Sequence, residues 1–203
     1  MSELVNGSRP TQRSQAKADR RIALLDAAAQ LFADRGFNGV SIEDLGAAVG
    51  VSGPAVYRHF TGKQAVLAAL LVGVSRDLLD GGIAVVENAP NDEAALRSLI
   101  AFHADFALDN PDVIRVQDRD LDSLAALDRR EVRSLQRRYI DLWMEVLGRL
   151  HPALGTTELR VRVQATFGLI NSTPHSVRTH GRSVDRVTAR PILEGMSWAG
   201  LNA

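Results

Sequence analysis

Residues 41–63 read SIEDLGAAVGVSGPAVYRHFTGK, in which two short helical patterns flank a glycine. Ser41 and Asp44 have the spacing of a capping box, which predicts that the first helix begins just after Ser41. Its apolar residues recur at i, i+3 and i+7, the spacing of a short amphipathic helix, at Ile42, Leu45 and Val49. Gly50 follows where this helix must end, because glycine tolerates the left-handed backbone of a tight turn.

The second helical pattern begins at Ser52, the expected N-cap, and carries a proline in its first turn. Pro54 breaks no helical hydrogen bond there, because first-turn N–H groups have no partner within the helix. Val56 and Phe60 lie four residues apart and are expected to pack this helix onto the core. Gly46 is expected where the two helices cross and leave no room for a side chain. Together these signals predict a helix-turn-helix, whose second helix enters a DNA groove.

The chain resembles the TetR family of transcriptional regulators in the residues that complete this segment. The family signature, G-V-S-x-x-x-[LIV]-Y-x-[HY]-F-x-x-K, is present as Gly50, Val51, Ser52, Val56, Tyr57, His59, Phe60 and Lys63. The family's alanine-rich first helix, which ends in F-x-x-x-G-[FY], is matched by Leu31, Phe32, Gly36 and Phe37. The resemblance is specific over residues 20–70 and diffuse beyond them. It implies an all-α fold with an N-terminal three-helix helix-turn-helix DNA-binding head and a six-helix C-terminal body for ligand binding and dimerisation.

Composition agrees with this interpretation and excludes several classes of protein. The 203 residues are 45% hydrophobic and 24% charged, which is ordinary for a soluble protein with a real core. The absence of cysteine excludes disulfides, thiol catalysis and cysteine-ligated zinc. The chain shows neither an apolar run of membrane-spanning length nor a signal-peptide core, so we expect a cytoplasmic protein without a membrane partner. No cofactor or metal is expected.

The formal net charge of +0 hides an uneven distribution along the chain. Residues 1–21 hold five basic residues against Glu3 and Asp19, whereas residues 64–203 hold more acid than base. The basic residues are Arg9, Arg13, Lys17, Arg20 and Arg21. Positive charge is therefore concentrated beside the helix-turn-helix, as phosphate contacts require. Residues 1–15 are polar and aperiodic, which predicts a flexible basic tail, either simply solvated or ordered on DNA as an arm.

Helical periodicity continues over the rest of the chain, and no alternating strand pattern persists. Nine helices are expected, with domains at residues 16–62 for the DNA-binding head and 63–203 for the body. The helix starts predicted beyond the head are Thr61 with Gln64, Asn91, Asn110 with Pro111, Asp128 with Glu131, Thr156 and Val184. Gly81 and Gly82 are expected to interrupt or kink the helix that begins at Thr61.

Nine residues of the motif are the candidate DNA contacts. The motif match implies phosphate contacts for Ser41, Ser52, Tyr57, His59 and Lys63, which supply hydroxyl, imidazole, ammonium and helix N-terminal donors. The residues expected to face the groove are Gly53, Pro54, Ala55 and Arg58. Among these, Arg58 alone has a side chain that can bind guanine O6 and N7 together, so it is the predicted base reader. For Ser52 and His59, the alternative is capping or local hydrogen bonding only.

The family resemblance also implies a cavity in the body that holds a small, often apolar ligand. The residues expected to line it are Phe102, His103, Phe106, Tyr139, Trp143, Phe167, Asn171 and His175. The alternative for each of them is ordinary core packing, because aromatic residues at helical spacing are usually core. An acyl chain or acyl-CoA as the effector follows from the apolar lining and the habit of the family alone.

The helix from Thr156 is apolar on more than one side, which predicts that part of it faces a second subunit. In the family, the last two helices pair with their twofold mates as a four-helix bundle. The interface residues implied are Val163, Phe167, Ile170, Leu193 and Met196, with the chain's own core as the alternative. A homodimer is favoured because two recognition helices set ~34–36 Å apart can read a palindrome.

The sequence lacks the parts of an enzyme. His103 and Asp105 lie on different helix faces without a nucleophile nearby, and His175 and His180 have neither metal-binding spacing nor a third ligand. The predicted function is a homodimeric repressor released from a palindromic operator by a small apolar ligand. One alternative is an orphan or architectural DNA-binding protein that needs no ligand. Another is an enzyme or ligand carrier with a vestigial head.

Overall fold

A computed structural model describes residues 12–173 and 185–203, which form nine α-helices. They are α1 Gln12–Arg35, α2 Ile42–Ala48, α3 Gly53–Val56, α4 Lys63–Glu87, α5 Asp92–Asp109, α6 Pro111–Asp120, α7 Ala126–Leu150, α8 Thr156–Ile170 and α9 Arg186–Leu201. Short 3₁₀ turns at Phe37–Gly39 and Leu121–Ser123 follow α1 and α6. The predicted all-α fold with a helix-turn-helix near its N-terminus is confirmed. Among the described residues, no helix is long and apolar enough to cross a membrane.

The head is built from α1, α2 and α3, and its local signals act as predicted. Ser41 Oγ accepts a hydrogen bond from the Asp44 N–H at 3.0 Å, and the Ser41 N–H donates to Asp44 Oδ2 at 2.8 Å, so the capping box is present. Gly50 has φ +69°. A Cβ on Gly46 would lie 2.7 Å from the Val51 carbonyl oxygen, which makes this the point where the two helices touch.

One apolar cluster runs from the head into the body. Val56 and Phe60 are buried in it beside the α1 residue Phe32, as predicted for the recognition helix. The same cluster contains Leu67 of α4 and Val116 of α6. The head therefore rests on the body through a continuous core, in which α1 contacts both α4 and α6.

The body is a bundle in which α4 packs against α5 and α7, while α9 packs against α5 and α8. Its core centres on Trp143, which is fully buried between Leu96, Leu99, Leu147 and Val163. This packing brings α4, α5, α6, α7 and α8 around the space in which a cavity lies.

Two predicted helix starts in the body are wrong. The helix α4 begins at Lys63 after Gly62, and the Gln64 side chain donates to the Ser123 carbonyl at 2.8 Å instead of closing a capping box with Thr61. The helix α7 begins at Ala126, before Asp128, and Glu131 accepts a hydrogen bond from Arg76 at 2.6 Å. Both side chains are hydrogen-bonded to residues that are distant in the sequence. Asn91, by contrast, caps α5 by accepting from the Ala94 N–H at 2.9 Å.

The predicted interruption at Gly81 and Gly82 is absent, because α4 is one helix from Lys63 to Glu87. The two glycines serve close packing instead. A Cβ on Gly82 would lie 2.5 Å from the Tyr139 ring, and one on Gly81 would collide with the Phe102 ring.

The end of one predicted segment differs. The helix α1 begins at Gln12, so residues 12–15 of the expected tail are helical. The predicted features at residues 1–11, and those at His175, His180 and Val184, lie outside the described residues.

Candidate DNA-binding surface and ligand cavity

The recognition helix α3 is a single turn, and the chain continues in tight turns through His59. Tyr57, Arg58 and Pro54 are exposed on it, so their side chains are available to a partner. Ala55 and His59 are half-buried. Gly53 was predicted to face the groove, but it is buried, and a Cβ on it would lie 3.2 Å from Glu43 Oε1. Of the residues predicted to face the groove, Pro54, Ala55 and Arg58 are therefore accessible.

Three of the predicted phosphate donors differ in whether their side chains already make hydrogen bonds within the head. The Ser41 hydroxyl donates to Asp44 at 2.7 Å, and the Lys63 ammonium donates to the Val40 carbonyl at 2.7 Å and lies over the Phe37 ring. Lys63 keeps two further N–H donors, whereas the single hydroxyl proton of Ser41 is engaged. Ser52 stands at the N-cap position of α3, but its side chain makes no capping hydrogen bond.

The structure brings basic residues of α1 beside the recognition helix. Lys17, Arg20, Arg58 and His59 line one cleft between α1 and the end of α3. Arg20 donates to the Val49 carbonyl at 3.0 Å, which ties α1 to the end of α2. Arg21 donates to the His59 carbonyl at 3.3 Å. These contacts hold the basic side chains of α1 beside the recognition helix, where they form a positively charged rim.

The imidazole of His59 lies inside this positive rim. Burial lowers its pKa, and the nearby charges of Lys17, Arg20, Arg21 and Arg58 lower it further. Its Nδ1 is buried and has no hydrogen-bond partner among the described residues. His59 is therefore neutral at neutral pH in the free head, and a phosphate that neutralised the rim would favour its protonation.

A cavity of about 200 Å³ lies in the body between five helices. Five of the residues predicted from sequence line it, namely His103, Phe106, Tyr139, Phe167 and Asn171. Two others do not line it, since Phe102 packs on Gly81 and Trp143 is fully buried behind the cavity wall. His175 lies outside the described residues. The lining residues that sequence reasoning missed are Ser75, Leu78, Val113, Ile114, Gln117, Gln136 and Ile140.

A short hydrogen-bonded chain crosses the cavity wall through His103. Its Nε2 lies 3.2 Å from Asn171 Oδ1, and its Nδ1 lies 3.5 Å from the Tyr139 hydroxyl. Because the amide oxygen can only accept, Nε2 carries the proton and Nδ1 accepts from Tyr139. Burial lowers the pKa of His103 to about 4 and raises the pKa of Tyr139. Both side chains are therefore uncharged at neutral pH.

The helix α6 joins the cavity to the head. Val113, Ile114 and Gln117 line the cavity from its first two turns. One residue short of its last position, Arg119 donates to the Ala33 carbonyl at 3.2 Å and also to the Phe32 carbonyl. These carbonyls belong to the last turn of α1, and the Phe32 carbonyl also accepts a hydrogen bond from the Gly36 N–H at 2.8 Å. A single rigid helix thus touches both the cavity and the end of α1.

The predicted dimer residues are mostly core. Val163 and Ile170 are fully buried within one chain, Leu193 is almost so, and Phe167 lines the cavity. A side chain that is already buried within one chain has no exposed surface to bury on dimerisation. These residues therefore fit the alternative given above, that they belong to the chain's own core. Met196, at 53% exposure, remains on the surface.

A different face of α8 and α9 is exposed and uncharged. On α8 it consists of Thr157, Val161, Gln164, Ala165 and Gly168. On α9 it consists of Thr188, Ile192, Gly195, Met196 and Ala199. The two helices pack side by side, so these residues belong to neighbouring surfaces. Charged residues of α8, such as Arg160 and Arg162, lie on other sides of the helix.

Two family models match the chain over most of its length. The model of the bacterial regulatory proteins of the tetR family matches residues 24–70, and the model of the tetracyclin repressor-like C-terminal domain matches residues 89–194. The chain belongs to the TetR family. The resemblance expected from residues 20–70 is confirmed, and the protein is a DNA-binding transcriptional regulator. Its relatives are regulators and not enzymes, as predicted.

Individual members of the TetR family show how far the likeness extends. The HTH-type transcriptional repressor KstR2 of Rhodococcus jostii (strain RHA1) is 28% identical over 68% of this chain and 68% of its own length. A TetR-family regulator from Bordetella parapertussis 12822 has a TM-score of 0.78 at 24% identity, over 90% of this chain and 96% of its own. FadR from Bacillus subtilis in complex with stearoyl-CoA has a TM-score of 0.67 at 16% identity, over 88% of this chain and 98% of its own.

Some residues of this TetR-family site were hidden from sequence reasoning for identifiable reasons. Gln117 lies within the charged stretch VQDRDLD, residues 116–122, and such a stretch is typical of a solvated face. Yet Val113, Ile114 and Gln117 recur at i, i+1 and i+4, a spacing that indicates one inward stripe. Lys17 and Arg20 were counted only as charge, although their i, i+3 spacing places them on one face of α1.

Proposed function

We propose that this protein is a homodimeric repressor that leaves a palindromic operator when a small ligand fills the cavity between α4 and α8. The observation that carries the ligand response is α6, which lines the cavity with Gln117 and holds the end of α1 with Arg119. Similarity to the repressor KstR2 supports the proposed repression, and similarity to FadR in complex with stearoyl-CoA supports the proposed ligand response.

The proposed response follows from the rigidity of α6. A ligand that fills the cavity contacts Val113, Ile114 and Gln117, and a displacement of these residues would carry α6, a helix of ten residues, as a unit. Because Arg119 is bonded to the end of α1, the head moves with it. A ligand acts only through its different affinity for the two arrangements, and such couplings typically amount to about 1–3 kcal/mol, or about 5–150-fold in affinity.

The proposed DNA contacts divide into reading and positioning. Arg58 is exposed beyond the single turn of α3 and is the side chain that can bind guanine in a bidentate manner. Lys17, Arg20, Tyr57 and the ring of His59 surround it and are proposed to bind phosphates. Lys63 is proposed to bind one with its remaining N–H donors. Two heads related by a twofold axis then read half-sites about one helical turn apart, ~34–36 Å.

The proposed dimer forms through the exposed uncharged face of α8 and α9. Val161, Ile192 and Met196 each expose more than half of their surface there, at 60%, 54% and 53%. Gly168 and Gly195 face open space between these side chains, so the helices of a partner can approach closely. A twofold dimer uses the same patch on both subunits, which an uncharged, self-complementary face satisfies.

The test begins with genomic fragments selected by the purified protein, followed by anisotropy measurements across a salt series. We expect one enriched palindrome and a steep salt slope. Ile192→Asp should give a monomer by sedimentation and lose most operator affinity. Val187→Asp is the matched control, because Val187 is also exposed on α9 but lies on a different side of the helix. A dimer that survives Ile192→Asp, or no enriched palindrome, would contradict the proposal.

A further inference from the structure

We infer that the cavity takes a compact, uncharged ring compound with one hydrogen-bonding group, and that it discriminates against carboxylates and ammonium ions. This inference rests on the ligand response proposed above, and it names the chemistry of the ligand. Three observations lead to it: the volume of the cavity, the charge of its lining and the amide groups that face it.

The volume limits the part of the ligand that enters. The cavity measures about 200 Å³. An apolar cavity of about 150 Å³ is known to accommodate benzene, so this one has room for a ring with a short substituent. The walls suit a flat ring, since His103 and Phe167 stack at 4.7 Å between centroids and Tyr139 lies parallel to Phe167 at 5.6 Å. A chain as long as the stearoyl group bound by FadR would not fit.

The lining carries no charge in the part of the chain that the structure describes. Its titratable members are His103 and Tyr139, and burial keeps both neutral, with the pKa of His103 at about 4. A carboxylate or an ammonium ion would lose its hydration here and find no opposite charge in return. An uncharged compound avoids this cost.

The amides supply the specific contact. Gln117 of α6 and Gln136 of α7 both line the cavity, are half-buried, and have no hydrogen-bond partner among the described residues. Asn171 uses its oxygen for His103 and has its amide N–H₂ left to donate. Primary amides both donate and accept, which suits a hydroxyl, carbonyl or carboxamide. A ligand held by Gln117 would also act directly on α6, the helix that bears Arg119.

The test uses a tryptophan next to the cavity and needs no DNA. The chain has two tryptophans, so Trp198→Phe leaves Trp143 as the single reporter. Its ring lies 5.0 Å from that of Phe167, which lines the cavity. The probes are benzyl alcohol, benzoate and benzylammonium, which share a ring and differ in charge. We expect saturable binding of benzyl alcohol at least about tenfold tighter than that of either ion, without change from about pH 5.5 to 8.

Matched variants locate the binding. Gln117→Leu and Gln136→Leu remove one amide each at similar size and should each weaken benzyl alcohol severalfold. Gln30→Leu makes the same change at an exposed site on α1 and should leave it unaltered. Ile114→Trp should fill the cavity and abolish binding, which is measured for this variant by titration calorimetry because it adds a second tryptophan.

Each result bears on one claim. Benzoate or benzylammonium binding as tightly as the alcohol would overturn the inference, as would benzyl alcohol binding that survives Ile114→Trp or no binding of benzyl alcohol at millimolar concentration. If benzyl alcohol binds as expected but a selected operator stays bound, the inference about the ligand stands and the proposed release from DNA fails.

Discussion

Replacing Arg119 by methionine should loosen the junction between the body and the head while keeping the length of the side chain. In the structure its guanidinium bonds the Phe32 and Ala33 carbonyls and pairs with Asp120 at 3.1 Å. Hydrogen bonds from charged donors contribute about 1.5–3 kcal/mol when buried, but the Arg119 side chain is 47% exposed, so we expect about 1–2 kcal/mol for the pair. Leaving the buried carboxylate of Asp120 without this partner adds about 1 kcal/mol to the loss of stability.

The expected total loss in the free energy of unfolding is therefore about 2–3 kcal/mol, or a fall in Tm of about 4–12 °C for a chain of this size. Urea denaturation at one fixed protein concentration measures it, because the stability of the proposed dimer would depend on concentration. Hydrogen exchange should also quicken at the Gly36 N–H, which donates to the Phe32 carbonyl at 2.8 Å.

The matched control is Arg76→Met. Arg76 is similarly exposed and pairs with Glu131 at 2.6 Å between α4 and α7, without touching the head. Such a surface pair is worth about 0–1 kcal/mol. If Arg119→Met costs no more than this control, and exchange at Gly36 is unchanged, then Arg119 does not hold the end of α1 and the proposed route from the cavity to the head is refuted.

Three further predictions concern the head and the cavity wall. Arg58→Ala should relax base preference at one operator position by about 1–3 kcal/mol. Lys17→Ala should instead weaken binding to all DNA sequences and lower the salt slope by about one. An equal loss of affinity at every sequence for Arg58→Ala would exclude Arg58 as the reader. Gly46→Ala should destabilise the head by about 1–3 kcal/mol in thermal melts, because its Cβ would meet the Val51 carbonyl oxygen at 2.7 Å; an unchanged Tm would contradict this contact. The pKa of His103 is about 4 in the folded protein and 6.5 in the unfolded chain, so the unfolded chain takes up more protons as the pH falls. The free energy of unfolding should therefore decrease by about 2 kcal/mol between about pH 7.5 and 5. His103→Gln, measured over the same range, should remove that part of the pH dependence.

Some local features of the head and of α5 could be predicted because their partners lie within a few residues. The Ser41–Asp44 capping box, the left-handed Gly50 and the Asn91 cap all depend on atoms three or four positions away. The same kind of signal failed at Gln64 and Glu131, where Ser123 and Arg76 compete for the side chain from distant parts of the chain. Spacing alone does not reveal such a competitor.

The cavity was predictable in its aromatic residues and in Asn171. Large rings such as Tyr139 and Phe167 indicated the body core, and the structure places both in the wall. Gln136 carried no sequence signal of burial, and the spacing of Gln117 with Val113 and Ile114 was a weak one, because glutamine is usually exposed. Their position depends on how α6 and α7 pack against three other helices, which the sequence of either helix leaves open.

The sequence by itself determined the family, the helix-turn-helix and the all-α class, because these rest on local hydrogen bonds and on the 3.6-residue period of apolar side chains. Only the tertiary structure decided which side of α8 is core. Val163 and Ile170 face inward while Val161 and Ala165 face outward, and both sides look equally apolar along the chain. Burial is a property of two surfaces in contact. A helix can offer two apolar faces, but its neighbours select the one that becomes the core and leave the other for a partner.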